Sequence, residues 1–126
     1  MSLTNYLETE VLDHVFGGNA YTAPATLYFA LFTAAPSDTG GGTEVSGTNY
    51  ARVSGTFTVS GNTASLTSAV EFAAAGSNWG TVTHGAIFDA ATSGNMLAYG
   101  TLSDDKVVET GDVLRIQANQ FTITLD

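Results

Sequence analysis

The chain has 126 residues, with 12 acidic side chains against 3 basic ones, no cysteine, and charged residues at only 12% of positions. That length makes one domain over 1–126 the expectation, with a core large enough to stand without staples. Disulfides, thiolate metal sites and cysteine nucleophiles are excluded, and a formal charge of −9, with Arg52, Lys106 and Arg115 as the whole basic inventory, argues against phosphate-backbone binding.

Ser2 to Phe16 carries Leu3, Tyr6, Leu7, Val11, Leu12, Val15 and Phe16 at helical spacings, with Glu8, Glu10 and Asp13 mostly between them. The spacing predicts one N-terminal α-helix within 1–18, capped by Ser2 or Thr4 and stopped at Gly17-Gly18. Ala23-Pro24 then forces extended backbone. From Thr26 to Ala34 the period changes to two and both faces are apolar, which places this strand in the middle of the fold. The following stretch, 35–49, is rich in Pro, Gly and Ser without periodicity, and is expected to be a long exposed loop.

Further strands are expected near Tyr50–Ser60, Thr63–Phe72, Thr81–Asp89, Met96–Leu102, Asp112–Gln117 and Phe121–Leu125. Turns fall at Ser60-Gly61-Asn62, at Thr92-Ser93-Gly94-Asn95 and at Glu109-Thr110-Gly111-Asp112, where residues tolerant of positive φ cluster. Threonine is β-branched and suits a pleated, half-exposed surface. The predicted fold is mainly β: an antiparallel β-sandwich of the jelly-roll kind over 26–126, preceded by one N-terminal α-helix. The amino end, MSLTNYLETE, has no basic region of the export-signal kind, and no apolar run reaches the length of a membrane span.

Few residues invite chemistry. His14 and His84 lack a second ligand at metal spacing, and strand parity puts His84 and Asp89 on opposite faces. Calcium is the better acidic hypothesis, through Asp38 and Glu44 or through Asp104, Asp105 and Asp112, but the EF-hand pattern is missing and solvated surface acids are the plainer reading. Gly40-Gly41-Gly42 has no nearby lysine and is no phosphate loop. Trp79, with Tyr99 as a second aromatic, is a candidate sugar-stacking platform, against the plainer role of plugging the end of the core. No catalytic residue, metal or cofactor is expected. The remaining candidates are contact residues for another chain: Leu3, Tyr6, Leu7 and Val11 on the helix, and Pro36, Asp38, Glu44 and Tyr50 in and beside the loop.

Three blocks, MSLTNYLETEVLDHVFGGNAYTAPATLYFALFTAAPSD, GTEVSGTNYARV and WGTVTHGAIFDAATSGNMLAYGTL, resemble a family of small virion proteins of tailed double-stranded DNA bacteriophages. Its members often carry the label tail fibre protein, and some resemble head decoration or cement proteins. The resemblance covers nearly the whole chain, with 79–102 its most specific part, and it brings no catalytic motif. It implies a structural protein made in the bacterial cytoplasm, bound to the major capsid protein on the capsid surface, and acting as a symmetric homo-oligomer such as a trimer. The alternative it leaves open is a tail fibre or tail-tip module that binds host surface glycan. Neither nucleic acid nor membrane is an expected partner.

Overall fold

Alternating apolar residues and glycine turns cut the chain into short strands: β1 (Ser2–Leu3), β2 (Leu27–Ala34), β3 (Thr43–Glu44), β4 (Val53–Gly55), β5 (Phe57–Ser60), β6 (Thr63–Leu66), β7 (Val70–Glu71), β8 (Gly80–Phe88), β9 (Met96–Val108), β10 (Arg115–Ile116) and β11 (Thr122–Thr124). One helix, α1 (Asn5–Leu12), precedes most of them. The computed structural model describes residues 1–126. Pairing is antiparallel throughout. The main sheet has the order β1-β9-β8-β2-β3, with β4 also on β2, so the strand that is apolar on both faces does lie inside the sheet.

One face of that sheet is covered by two ribbons, β5-β6-β11 and β7-β10. Phe29, Leu31, Val82, Ile87 and Leu97 from the sheet close on Leu66, Val70, Leu114, Ile116 and Phe121 from the covering layer. The Phe29 ring stacks on Phe57 at 5.6 Å and meets Phe121 edge-on at 5.1 Å, geometries that aromatic quadrupoles favour. The other face carries a smaller cluster of Ala30, Phe32, Ala86, Phe88 and Met96. The result is a mainly β fold of packed antiparallel layers with one N-terminal helix, as the sequence predicts. No helix is long and apolar enough to cross a membrane.

Several boundaries differ from expectation, each for a local reason. Ser2 and Leu3 leave the predicted helix and pair with Tyr99 and Ala98 of β9. Thr4 is buried and caps α1. After Leu12 the helix widens into a π-type turn, Asp13–Gly17, and stops at Gly18, whose φ is 77°. The expected strand 50–60 is two strands, because the chain changes layers at Gly55: β4 pairs with β2, whereas β5 pairs with β6. A Cβ on Gly55 would stand 2.6 Å from Phe29 Cε2, so only glycine lets the corner come this close. The expected strand 63–72 likewise splits into β6 and β7, and 112–117 shrinks to β10.

The stretch 35–49 is not simply an exposed loop. Pro36 and Val45 are buried, Ser37 and Gly40 close a tight turn through mutual backbone bonds of 2.8 and 2.9 Å, and β3 adds to the edge of β2. Val45 N–H donates to Leu31 O, so this segment satisfies edge groups that would otherwise be unpaired. β9 runs past the expected end at Leu102. Its partner changes from Thr101 opposite His84 to Lys106 opposite Val82, so four residues of β9 face one of β8. Asp104 and Asp105 sit in this bulge, where two like charges reach water.

Candidate assembly surface

The root of α1 is held by its cap. The Thr4 hydroxyl donates to Met96 O at 2.6 Å and accepts from Leu7 N–H, while Thr4 N–H donates to Leu97 O at 2.9 Å. Asn5 N–H donates to Asp38 O, and the Asp38 carboxylate accepts from the Tyr99 hydroxyl. That hydrogen bond, with burial, raises the Tyr99 phenol above its ordinary value. Helix root, loop and β9 are therefore joined at Asp38.

Beyond its root the helix changes character. Tyr6 and Leu7 are half-buried and pack on the core. Val11 is 37% exposed, Leu12 59%, Val15 61% and Phe16 82%, and every residue from 11 to 20 is exposed. The stripe read from the sequence is thus used twice. Its first turns pack inward, and its last two turns form an apolar ridge. Leu12, Val15 and Phe16 belong to that stripe, yet the contact set chosen from sequence stops at Val11. Their spacing continued the pattern, but spacing does not say where the core under a helix ends.

Beside β3, a different expected contact has an internal role. Arg52 donates from Nε and Nη2 to the Glu44 carboxylate at 2.9 and 2.8 Å, and from Nη1 to the carbonyls of Ala90 and Ser93 at 2.9 and 2.8 Å. Its guanidinium carbon stands 3.6 Å from the centre of the Phe88 ring, a desolvated cation–π contact. The Tyr50 hydroxyl donates to Glu44 at 2.7 Å and accepts from Leu31 N–H. Burial raises the Glu44 carboxyl, but the hydrogen bonds from Arg52 and Tyr50 and the guanidinium charge outweigh it and hold the group below its ordinary value. Burial and the bond to Glu44 push the Tyr50 phenol well up. Glu44 and Tyr50 are thus brought together as an interior strap, and the sequence offered no sign that Arg52 would be the third member.

The other candidates are dispersed. Pro36 is buried and Leu3 half-buried in β1. Trp79 is 5% exposed within the core, edge-on to Tyr50 at 5.4 Å, with its N–H donating to Thr48 O at 3.0 Å. Tyr99 packs on the opposite face of the main sheet, against the Phe32 and Phe88 cluster, so the two rings share no platform. His84 lies between Thr83 and Thr101 hydroxyls, and His14 Nδ1 accepts from Tyr21 N–H.

A family model described as Podophage GP4 fiber I protein gp80 matches residues 2–124. A comparison with curated proteins finds no match.

Proposed function

The chain belongs to this family of tailed-phage fibre proteins, and on that premise we propose that it is a structural subunit of the virion that decorates and reinforces the assembled head, with its N-terminal helix as the assembly contact. The observation that carries the reading is the apolar ridge of Val11, Leu12, Val15 and Phe16, which has no core of its own to cover. Four such side chains on a helix rooted at Thr4 and Asp38 present a rigid apolar edge to a neighbouring chain. The surrounding surface, rich in Thr, Ser and Gly, loses little on desolvation against a partner. Many copies on the major capsid protein lattice would turn modest individual contacts into firm attachment through avidity.

The description of the family favours a second reading, a module of a tail fibre or tail tip. Glycan stacking by Trp79 and Tyr99 is the weaker part of that reading, because the indole is buried and the two rings lie on opposite faces of the sheet.

Particles made with the Leu12→Asp/Phe16→Asp variant provide the test. Expected are particles that lack the protein and lose heat and osmotic tolerance, while the purified variant keeps its circular dichroism. Wild-type tolerance in particles lacking the protein would overturn the head reading. A handful of copies at the tail, in place of hundreds on the head, would favour the fibre.

A further inference from the structure

On the far half of β9 lies a groove of about 800 Å³ between residues 100–108 and residues 112–122. Its floor is apolar, with Leu102, Val108, Leu114, Ile116 and Phe121, and Val107 and Val113 on its rim are 64% and 52% exposed. β1 covers the outer edge of β9 only at Ala98 and Tyr99, and beyond Gly100 β9 has a strand partner on one side alone. Lys106 and Arg115 both line the groove. Arg52 is turned inward with its side chain 8% exposed, so every cationic side chain that faces water on this chain of net charge −9 is here. Asp104 and Asp112 line it as well, and Glu71 stands 3.9 Å from Arg115, so the groove mixes both signs of charge where the rest of the surface carries acids alone.

The end of the helix has the complementary make-up. Leu12, Val15 and Phe16 are exposed, the same segment carries Glu8, Glu10 and Asp13, and it contains no lysine or arginine. We propose that the apolar helix end of one copy seats in the Lys106/Arg115 groove of a second copy, so that the protein associates with itself head to tail. This rests on the reading of the helix as an assembly contact, and it names the partner. A chain does not supply its own helix to its own groove: Thr4 fixes the root on Met96 and Leu97, and Met1 is the only N-terminal residue that lines the groove. Ridge and groove are different surfaces, so the contact is heterologous, and it closes into a ring or extends as a chain of copies. Acidic flanks on the helix meet the exposed cations, which sets orientation and disfavours contact between two acidic faces.

Sedimentation velocity on the full chain tests this with two variants. Leu12→Asp/Phe16→Asp removes the ridge, and Lys106→Glu/Arg115→Glu reverses the groove. All four positions are exposed or at the rim, and circular dichroism checks that each variant folds. Expected are oligomers of the wild-type chain that grow with concentration, loss of oligomer in each variant alone, and heterodimers when the two variants are mixed, since the mixture restores one intact ridge and one intact groove. The proposal is overturned if the wild-type chain stays monomeric at every concentration, if groove reversal leaves the oligomer intact, or if the mixture stays monomeric. A monomeric wild-type chain that still decorates particles through its ridge would leave the functional reading standing and assign the ridge to the capsid lattice instead. An oligomer that never joins particles would do the reverse.

Discussion

Replacing Arg52 by leucine should be among the most damaging single polar changes in this protein. The guanidinium makes two bonds to Glu44 and two to the carbonyls of Ala90 and Ser93, and it covers the Phe88 ring. Leucine keeps much of the apolar contact but strands a carboxylate and two carbonyls. Removing one partner of a buried pair costs about 3–5 kcal/mol, because the remaining charge is left uncompensated. The Glu44 side chain keeps 26% of its surface, so water relieves part of that cost and the lower end, about 3 kcal/mol, is expected. For a chain of this size, that corresponds to a fall in Tm of roughly 10–15 °C. Urea denaturation followed by Trp79 fluorescence gives the free energy directly, since Trp79 is the only tryptophan and lies against Tyr50. The control is Arg115→Ala, whose pair with Glu71 is 3.9 Å long with side chains 52% and 60% exposed, and which should lose under about 0.5 kcal/mol. The double variant Arg52→Leu/Glu44→Leu should recover part of the loss, because it leaves no orphaned charge. If Arg52→Leu costs no more than Arg115→Ala, the strap does not hold the fold and the reasoning fails.

Three other changes probe the remaining supports. Thr4→Val removes the helix cap and a 2.6 Å bond to Met96 O from a buried site, and should cost about 1–2 kcal/mol, with faster amide exchange across residues 5–12. Gly47→Ala places a Cβ 2.2 Å from Trp79 Cδ1, which forces the indole to shift; a loss of about 1–3 kcal/mol and an altered near-ultraviolet circular dichroism spectrum should follow. Stability should also depend on pH at both ends. The folded Glu44 carboxyl lies below its usual 4.5, so its contribution is present above that pH and fades as the pH falls below it, and Glu44→Gln should flatten this acid limb. The Tyr50 phenol is raised above its ordinary 10.0, so its contribution is complete below about pH 10 and is lost as the pH rises further; urea midpoints measured from pH 3 to 11 would show both slopes.

Period and turn chemistry made most of the fold legible. The strand that is apolar on both faces, β2, sits inside the main sheet, and the expected turns carry positive φ at Gly61, Ser93, Gly94 and Gly111. Errors arose where a long-range partner outweighed a local preference. Ser2 and Leu3 continue a helical stripe, but pairing with a strand almost a hundred residues away takes them out of it. The loop 35–49 has turn composition throughout, yet the free edge of β2 recruits Thr43 and Glu44. Among the contact candidates, the apolar stripe was readable, and its division into an inner and an outer part was not, since that depends on where the core, built from distant parts of the chain, stops under the helix. Glu44 and Tyr50 looked like surface residues because nothing in the local sequence marks Arg52 as their interior partner.

The dependence of the helix root on β9 also bears on the order of events during synthesis. Thr4 is anchored by carbonyls of Met96 and Leu97, and Ser2 and Leu3 by β9 at Tyr99 and Ala98. A ribosome must therefore make most of the chain before the first residues find their places. Until then α1 is an isolated segment of eight residues, too short to hold helical form in water. The ridge becomes a shaped surface only when its subunit is almost complete, so growing chains have little with which to stick to one another. Sheet pairing thus acts as a timer, giving the apolar helix end its shape only on finished subunits.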